Sequence, residues 1–354
     1  MNTIIITGSS GLVGSEAVDF FCKKNFRVIG IDNNYRKYFF GKDGDTKKIK
    51  DYLIKKHKNF YHFNFDIRNQ LKIKKLFSKY NKDIKLVIHA AAQPSHDWAK
   101  KEPFTDYSIN STGTLNIIEN MRLFSSKSVF IYLSTNKVYG DNPNKFRFLE
   151  KKNRYDIIHN KYKNGFTENL STDNCIHSLF GASKLSADLI VQEYGKNFGL
   201  KTACFRAGCI TGANHAGAKL HGFLSYLVKR SIKKRNYQII GYKGKQVRDN
   251  ISSSDLVAAF WEFYKKPKFG EIYNLGGGSF SNCSVLEAID FVEKKLSIKI
   301  KKYYNKKPRV GDHIWYISDN NKFKHDYKNW KQNNNIETII ESIINFELQN
   351  NKNL

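Results

Sequence analysis

Glycines 8, 11 and 14, set in Gly8-Ser9-Ser10-Gly11-Leu12-Val13-Gly14, follow without a break on the β-branched run Thr3 to Thr7. Eighteen residues after Gly14, the next such run ends in Asp32. Residues without side chains let a turn tighten and let backbone approach a pyrophosphate, whose charge is met by the N–H groups that open the following helix. A carboxylate at the end of the second strand takes both hydroxyls of a ribose and repels a 2′-phosphate. Strand, loop, helix, strand and acid in this order predict a dinucleotide site for NAD rather than NADP. Leu12 and Val13 stand at its helix start and Asn33 beside its acid.

Such a site needs a sheet to carry it. Short β-branched runs (Thr3 to Thr7, Arg27 to Asp32, Tyr61 to Asp66, Leu86 to His89, Val129 to Ser134, Thr202 to Arg206) alternate with amphipathic stretches at Gln70 to Tyr80, Asp106 to Phe124 and Phe180 to Phe198. This alternation predicts an α/β fold, a Rossmann-type doubly wound parallel sheet. After about residue 210 the rhythm loosens, with Gly212, Gly217 and Gly222 in loops, a helical His221 to Lys234, and Gly276-Gly277-Gly278 after the apolar run Glu271 to Leu275. The expected division is a cofactor domain over 1–210, to which the chain returns at about 250–278, and a smaller mixed α/β substrate lobe over 211–354. Arg36 to Lys58 and Lys151 to Asn169 read as polar surface loops or lids. Ile336, Ile339, Ile340, Ile343 and Ile344 are spaced as one apolar helix face, core for the smaller lobe.

Composition narrows the class. A chain of 354 residues with 40% hydrophobic and 14% aromatic content fills a sizeable core, which excludes a disordered or collagen-like protein. Sixty Lys and Arg against 32 Asp and Glu give a net charge of +28, but 49 of the 60 are lysines strewn along the whole chain. A nucleic-acid footprint is clustered, Arg-rich and interleaved with aromatics, so no nucleic-acid partner is expected. Five cysteines without a C-x-x-C pair predict neither a disulfide framework nor a metal site, in keeping with a reducing cytoplasm. No stretch reaches the length of a membrane span, and the start MNTIIITGSSG does not read as a signal peptide.

The G-x-x-G-x-x-G spacing resembles the extended short-chain dehydrogenase/reductase family, which includes the NAD-dependent epimerases and dehydratases, and other segments agree. By that resemblance Asp66-Ile67 would contact adenine, and Ala90-Ala91 would form the small-residue strand end beneath the cofactor. Asn110 would kink a helix, and Lys184 would hold the nicotinamide ribose. Thr135, in Ser134-Thr135-Asn136-Lys137-Val138-Tyr139-Gly140-Asp141, would bond the reacting sugar hydroxyl. In the 4,6-dehydratases of the family an Asp-Glu pair follows this threonine; Asn136-Lys137 stands here, which disfavours dehydration. This segment, with Gly244-Lys245-Gln246-Val247-Arg248-Asp249, resembles the CDP-tyvelose (CDP-paratose) 2-epimerase branch. The resemblance implies a nucleotide-sugar substrate, CDP-linked, held by Gln93, Thr135, Asn136, Arg206, Arg248 and the Arg309 of Arg309-Val310-Gly311-Asp312. Planar guanidinium suits a diphosphate better than ammonium does. Relatives are often homodimers through the helices corresponding to Asp106 to Phe124 and Phe180 to Phe198.

One departure bears on the chemistry. Four residues before Lys184, where the family carries its catalytic tyrosine, stands Phe180, which has no proton to exchange. His177, beside the motif, and His96, in Gln93-Pro94-Ser95-His96-Asp97-Trp98, are candidate replacements because imidazole titrates near neutrality. Glu168 and Tyr139 are weaker ones. Cys209 reads equally as a substrate contact or a buried thiol. Two other readings stay open: a reductase or epimerase on another nucleotide sugar, and an NAD-binding protein whose catalysis is altered at Phe180.

Overall fold

The computed structural model describes residues 1–212, 222–309 and 311–352; Gly217, His221 and Val310 lie outside them. Strand β1 (Thr3–Thr7), buried throughout, leads into α1 (Leu12–Lys23) and β2 (Arg27–Ile31). Helices α2 (Arg36–Phe40) and α3 (Lys47–Lys56) precede β3 (Phe60–Phe63), and α4 (Gln70–Tyr80) precedes β4 (Ile84–His89). Helices α5 (His96–Lys101) and α6 (Pro103–Tyr107), a π turn over Ser108–Thr112 and α7 (Gly113–Ser125) bring the chain to β5 (Val129–Thr135). The hairpin β6 (Phe148–Glu150) and β7 (Tyr155–Ile157) is followed by α8 (Leu179–Phe198), β8 (Lys201–Ala207), β9 (Cys209–Thr211), α9 (Phe223–Ile232) and β10 (Tyr237–Ile240). Then come β11 (Val247–Ser252), α10 (Ser253–Lys265), β12 (Glu271–Leu275), β13 (Asn282–Ser284), α11 (Val285–Leu296), β14 (Lys302–Asn305), β15 (Trp315–Tyr316), α12 (Asn321–Asp326) and α13 (Ile336–Lys352).

Seven strands form one parallel sheet in the order β12-β8-β5-β4-β1-β2-β3, the doubly wound arrangement expected from the alternation. Parallel strands are covered on both faces, which is why Ile4-Ile5-Ile6 and Leu86-Val87-Ile88 are continuous apolar runs. Register decides what the sheet presents. Thr7 lies opposite Ile31 on β2 and His89 on β4, so Gly8, Asp32 and Ala90 leave three neighbouring strands at one level. Strand order reverses at β1, the place where such sheets bind ligands.

The chain groups into two compact units. The first takes Met1–Val138, Leu179–Arg206 and Leu256–Tyr273; the second takes Tyr139–Ser178, Ala207–Asp255 and Asn274–Leu354. In the second, β11 pairs with β13, β15 and β9, and β10 pairs with β14. Its core joins Leu224, Leu227 and Val228 of α9, Ile289 and Val292 of α11, and Ile339, Ile340, Ile343 and Ile344 of α13, the isoleucine face read from the sequence.

Arg36 to Lys58 differs from expectation, because α2 and α3 make it mostly helical. Helix α3 buries only Leu53 and is otherwise laced with charge, including a Lys47–Asp51 ion pair one turn apart, so five lysines mask the i, i+3, i+4 spacing of Ile49, Tyr52 and Leu53. The helix expected over Asp106 to Phe124 is interrupted at Ser108–Thr112. Among the described residues no helix is long and apolar enough to cross a membrane.

Candidate active site

The glycine loop closes as its spacing requires. Gly8 has φ +68°, and a Cβ there would lie 2.8 Å from Ala91 N; one on Gly14 would lie 2.0 Å from Gly8 O. Only residues without side chains allow this crossing of strand, loop and helix. No side chain caps the start of α1, so the first-turn N–H groups of Leu12, Val13 and Gly14 have no partner of that kind. Asp32 ties the loop to its own strand end, accepting from Ser10 N at 2.9 Å and Asn34 N at 2.7 Å. Asn33 donates to Asp66 Oδ2 at 3.1 Å, joining the ends of β2 and β3. Burial works to raise the Asp66 carboxyl, but Arg68, bonded through Nε (2.9 Å) and Nη2 (2.8 Å), holds it below the usual range. Ile67 beside it is buried. Gly8, Gly14, Asp32, Asn33, Asp66 and Ala91 thus come together at one end of the sheet.

His89, which the sequence reading passed over, fixes the next strand end. Thr114 Oγ1 donates to Asn110 O (2.6 Å) and so accepts from His89 Nε2 (2.9 Å); His89 Nδ1 then accepts from Thr7 Oγ1 (2.6 Å), which receives Ala91 N–H (3.2 Å). Both ring nitrogens are committed with the imidazole neutral, and burial pushes its pKa down to about 3. The chain from Thr7 to Ala91 sets Ala90 and Ala91 against Gly8.

A second polar network pins the loop after β4. Asn110, within the π turn, accepts from Gln93 N (2.9 Å) and donates to Gln93 O (3.1 Å), Asp106 Oδ1 (3.0 Å) and Ser183 Oγ (3.0 Å). Gln93 donates to Asp106 Oδ1 (2.7 Å) and Ser95 O (2.8 Å) and accepts from Ser95 N (2.5 Å). Its amide, expected at the substrate, therefore binds the residue before His96. Burial raises the Asp106 carboxyl. Asn110 was legible as the helix-kinking residue of the family resemblance; Asp106, one turn before it, carried no signal of its own.

Phe180 and Lys184 follow one turn apart on α8, both buried. Lys184 Nζ donates to Leu133 O at 2.8 Å and lies 4.2 Å from the centre of the Tyr132 ring; burial pushes its pKa down to about 7. Thr135 ends β5, its hydroxyl accepting from Lys137 N at 3.3 Å and lying 3.5 Å from the Oδ1 of buried Asn136. His96 meets Phe180 edge to face, ring centres 5.0 Å apart at 66°. Arg206 differs from its expected role. It is 3% exposed and bonded through Nε (3.2 Å) and Nη2 (2.8 Å) to Asp188, itself the acceptor of the Ser134 hydroxyl (2.5 Å). The fork meant for a phosphate holds a carboxylate.

In the second unit the two remaining arginine motifs meet. Arg248 Nη2 donates to Asp312 Oδ1 at 2.5 Å, and Nη1 to Val247 O at 2.8 Å. Burial works against its charge, but Asp312 overrides this and raises its pKa. Arg309 N-terminal to that aspartate is joined to it by the turn bond from Asp312 N to Arg309 O. The neighbouring Asp249 accepts from Ser318 N (2.9 Å) between Gly208 and Gly276, where any Cβ would strike its carboxylate; burial raises it. His177 Nε2 lies 2.9 Å from Thr172 O and 3.4 Å from Cys175 Sγ. Glu168 accepts from Asn274 N, and Tyr139 donates to Asn274 Oδ1. Cys209 lies on β9, opposite Asn250 of β11.

Residues 4–276 match the model of the NAD dependent epimerase/dehydratase family. CDP-paratose 2-epimerase of Salmonella typhi is 29% identical over 323 residues, covering 89% of this chain and 90% of that protein. UDP-glucuronate 4-epimerase of Thermodesulfobacterium geofontis is 27% identical, covering 99% and 97%. The structure of UDP-glucuronic acid 4-epimerase from Bacillus cereus, in complex with UDP-glucuronic acid and NAD, superposes with a TM-score of 0.78 at 23% identity, covering 98% of this chain and 99% of that one.

Proposed function

The chain belongs to the NAD dependent epimerase/dehydratase family, and from that membership we propose that it is a nucleotide-sugar epimerase acting at C2 of a CDP-hexose through a transient 2-keto sugar. The fit for NAD is supported by the Gly8–Gly14 crossing, which a single Cβ would fill, and by Asp32 beside it. Gly8, Gly11, Leu12, Val13, Gly14, Asp32, Asn33, Asp66, Ile67, Ala90, Ala91 and Lys184 would hold the cofactor. Bound NAD⁺ supplies a reversible hydride acceptor, regenerated in each turnover. Thr135 and Asn136 would orient the sugar hydroxyl, and Arg248 and Arg309 would clamp the diphosphate while the ring turns between its two faces. Arg248 would exchange Asp312 for phosphate. Gln93 acts from behind, through the backbone of Ser95.

The observation that carries the choice of epimerisation is Asn136-Lys137 after Thr135, which offers no carboxylate pair for water loss. The likeness to CDP-paratose 2-epimerase supports C2 and CDP. The exposed Leu115, Leu123, Leu179, Leu189 and Phe198 of α7 and α8 support a homodimer. Purified protein incubated with CDP-, UDP- and GDP-hexoses is expected to carry NAD and to invert C2 of a CDP-hexose. Protein that holds and binds no NAD would overturn the reading, and turnover confined to a UDP-hexose at C4 would move it to the second class of relative.

A further inference from the structure

Phe180 occupies the position one turn before Lys184 and supplies no proton, so an epimerase built on this site needs its acid–base group elsewhere. The imidazole of His96 stands edge-on to that phenyl ring, centres 5.0 Å apart. Its placement is over-determined. Both backbone groups of Ser95, the residue before it, are held by the Gln93 amide, Ser95 N to Oε1 at 2.5 Å and Nε2 to Ser95 O at 2.8 Å. Gln93 is fixed in turn by Asp106 and by a two-bond clasp with Asn110, and Ser95 caps α5 through Trp98 N. A loop with no structural task beyond turning the chain does not require a buried side chain clasping its backbone.

We propose that His96 is the proton acceptor and donor of the reaction, doing from the β4 loop what a phenol at position 180 would do from α8. This rests on the epimerase reading above. The O–H bond of the sugar hydroxyl breaks and its proton passes to an imidazole nitrogen. Bound NAD⁺ would take up the C–H electron pair as hydride while the C–O bond becomes a carbonyl. In the return half hydride re-adds to the opposite face, and the imidazolium gives its proton back to the oxygen. Gln93 is a positioning residue for His96. The titratable groups on the elements packed against α5 are Arg36, Lys37 and Tyr38 on α2, Asp106 and Tyr107 on α6, and Lys184, Asp188, Glu193, Tyr194 and Lys196 on α8, with Asp97, Lys100, Lys101 and Glu102 in its own stretch.

His96→Ala and the more conservative His96→Gln are expected to bind NAD as wild type does, and to lower kcat about 10²- to 10⁴-fold with little change in KM. The acidic limb of the kcat/KM profile, where protonation silences the imidazole, should disappear. Added imidazole should restore part of the rate to His96→Ala, and so should a second substitution, Phe180→Tyr. His325→Ala, an exposed ring on α12, is the control. In NMR spectra, adding NAD and CDP-hexose should move the His96 ring resonances and leave those of His325 in place. Full turnover with the acidic limb intact in both His96 variants would overturn the proposal, as would an unmoved His96 resonance. So would turnover lost in His177→Ala but kept in His96→Ala. Wild type that binds no NAD and turns over no nucleotide sugar would overturn the epimerase reading and this proposal with it.

Discussion

Lys184 is buried, 4% exposed, its ammonium bonded to Leu133 O beside the Tyr132 ring, with Asp188, Cys204 and Asp106 working against the burial. Burial lowers its pKa from the usual lysine range to about 7. Between that value and the unfolded one the unfolded chain holds the extra proton, so stability rises with pH across this window; below it the fold bears the whole penalty, on the order of a few kcal/mol. Lys184→Met should therefore leave the cofactor-free protein at least as stable near pH 7, with a flatter dependence of Tm between pH 7 and 10, while turnover collapses. A lower Tm with an unchanged pH slope would show that the lysine is a structural strut instead. At this scale the sequence was informative where a motif fixes both residue type and spacing, as with Gly8, Gly14 and Asp32. It placed Arg206 at the substrate without its partner, because nothing in a linear string reveals that Asp188, eighteen residues earlier and on another element, takes the guanidinium.

At the level of elements, strands were legible because a doubly covered parallel sheet demands continuous apolar runs, and β1 and α4 match their expected bounds. Helix α3 was not, since in so short a surface helix five lysines mask the spacing of Ile49, Tyr52 and Leu53. The break between α6 and α7 follows from Asn110, whose side chain serves Gln93, Asp106 and Ser183 and fixes the π turn where the three elements meet. Helices α7 and α8 carry outward-facing leucines that no core claims, with Leu123 56% and Leu189 48% exposed. If these faces join two copies, light scattering gives twice the 41.1 kDa chain mass, and Leu123→Glu with Leu189→Glu returns it to one without loss of bound NAD. A single-chain mass for the unaltered protein would contradict a dimer.

For the whole molecule, a net charge of +28 says less about partners than a few fixed cations do. Most of it is dispersed lysine. Of the three arginines that sequence motifs placed at a phosphate, Arg206 is held by Asp188, while in the second unit Asp312 takes the Arg248 guanidinium and donates its N–H to Arg309 O. The first unit carries the dinucleotide cradle, Thr135, Lys184 and the His96–Phe180 pair. An epimerase must take hydride from one carbon and return it to that same carbon, and isotope flow reports on that requirement. The protein should be incubated with a CDP-hexose deuterated at C2 in ordinary water, and the product analysed by NMR. The predicted result is the C2 epimer with deuterium retained, because hydride leaves and returns within one bound complex. Product that has exchanged its label for solvent hydrogen, or an untouched CDP-hexose beside a UDP-hexose inverted at C4, would contradict the account.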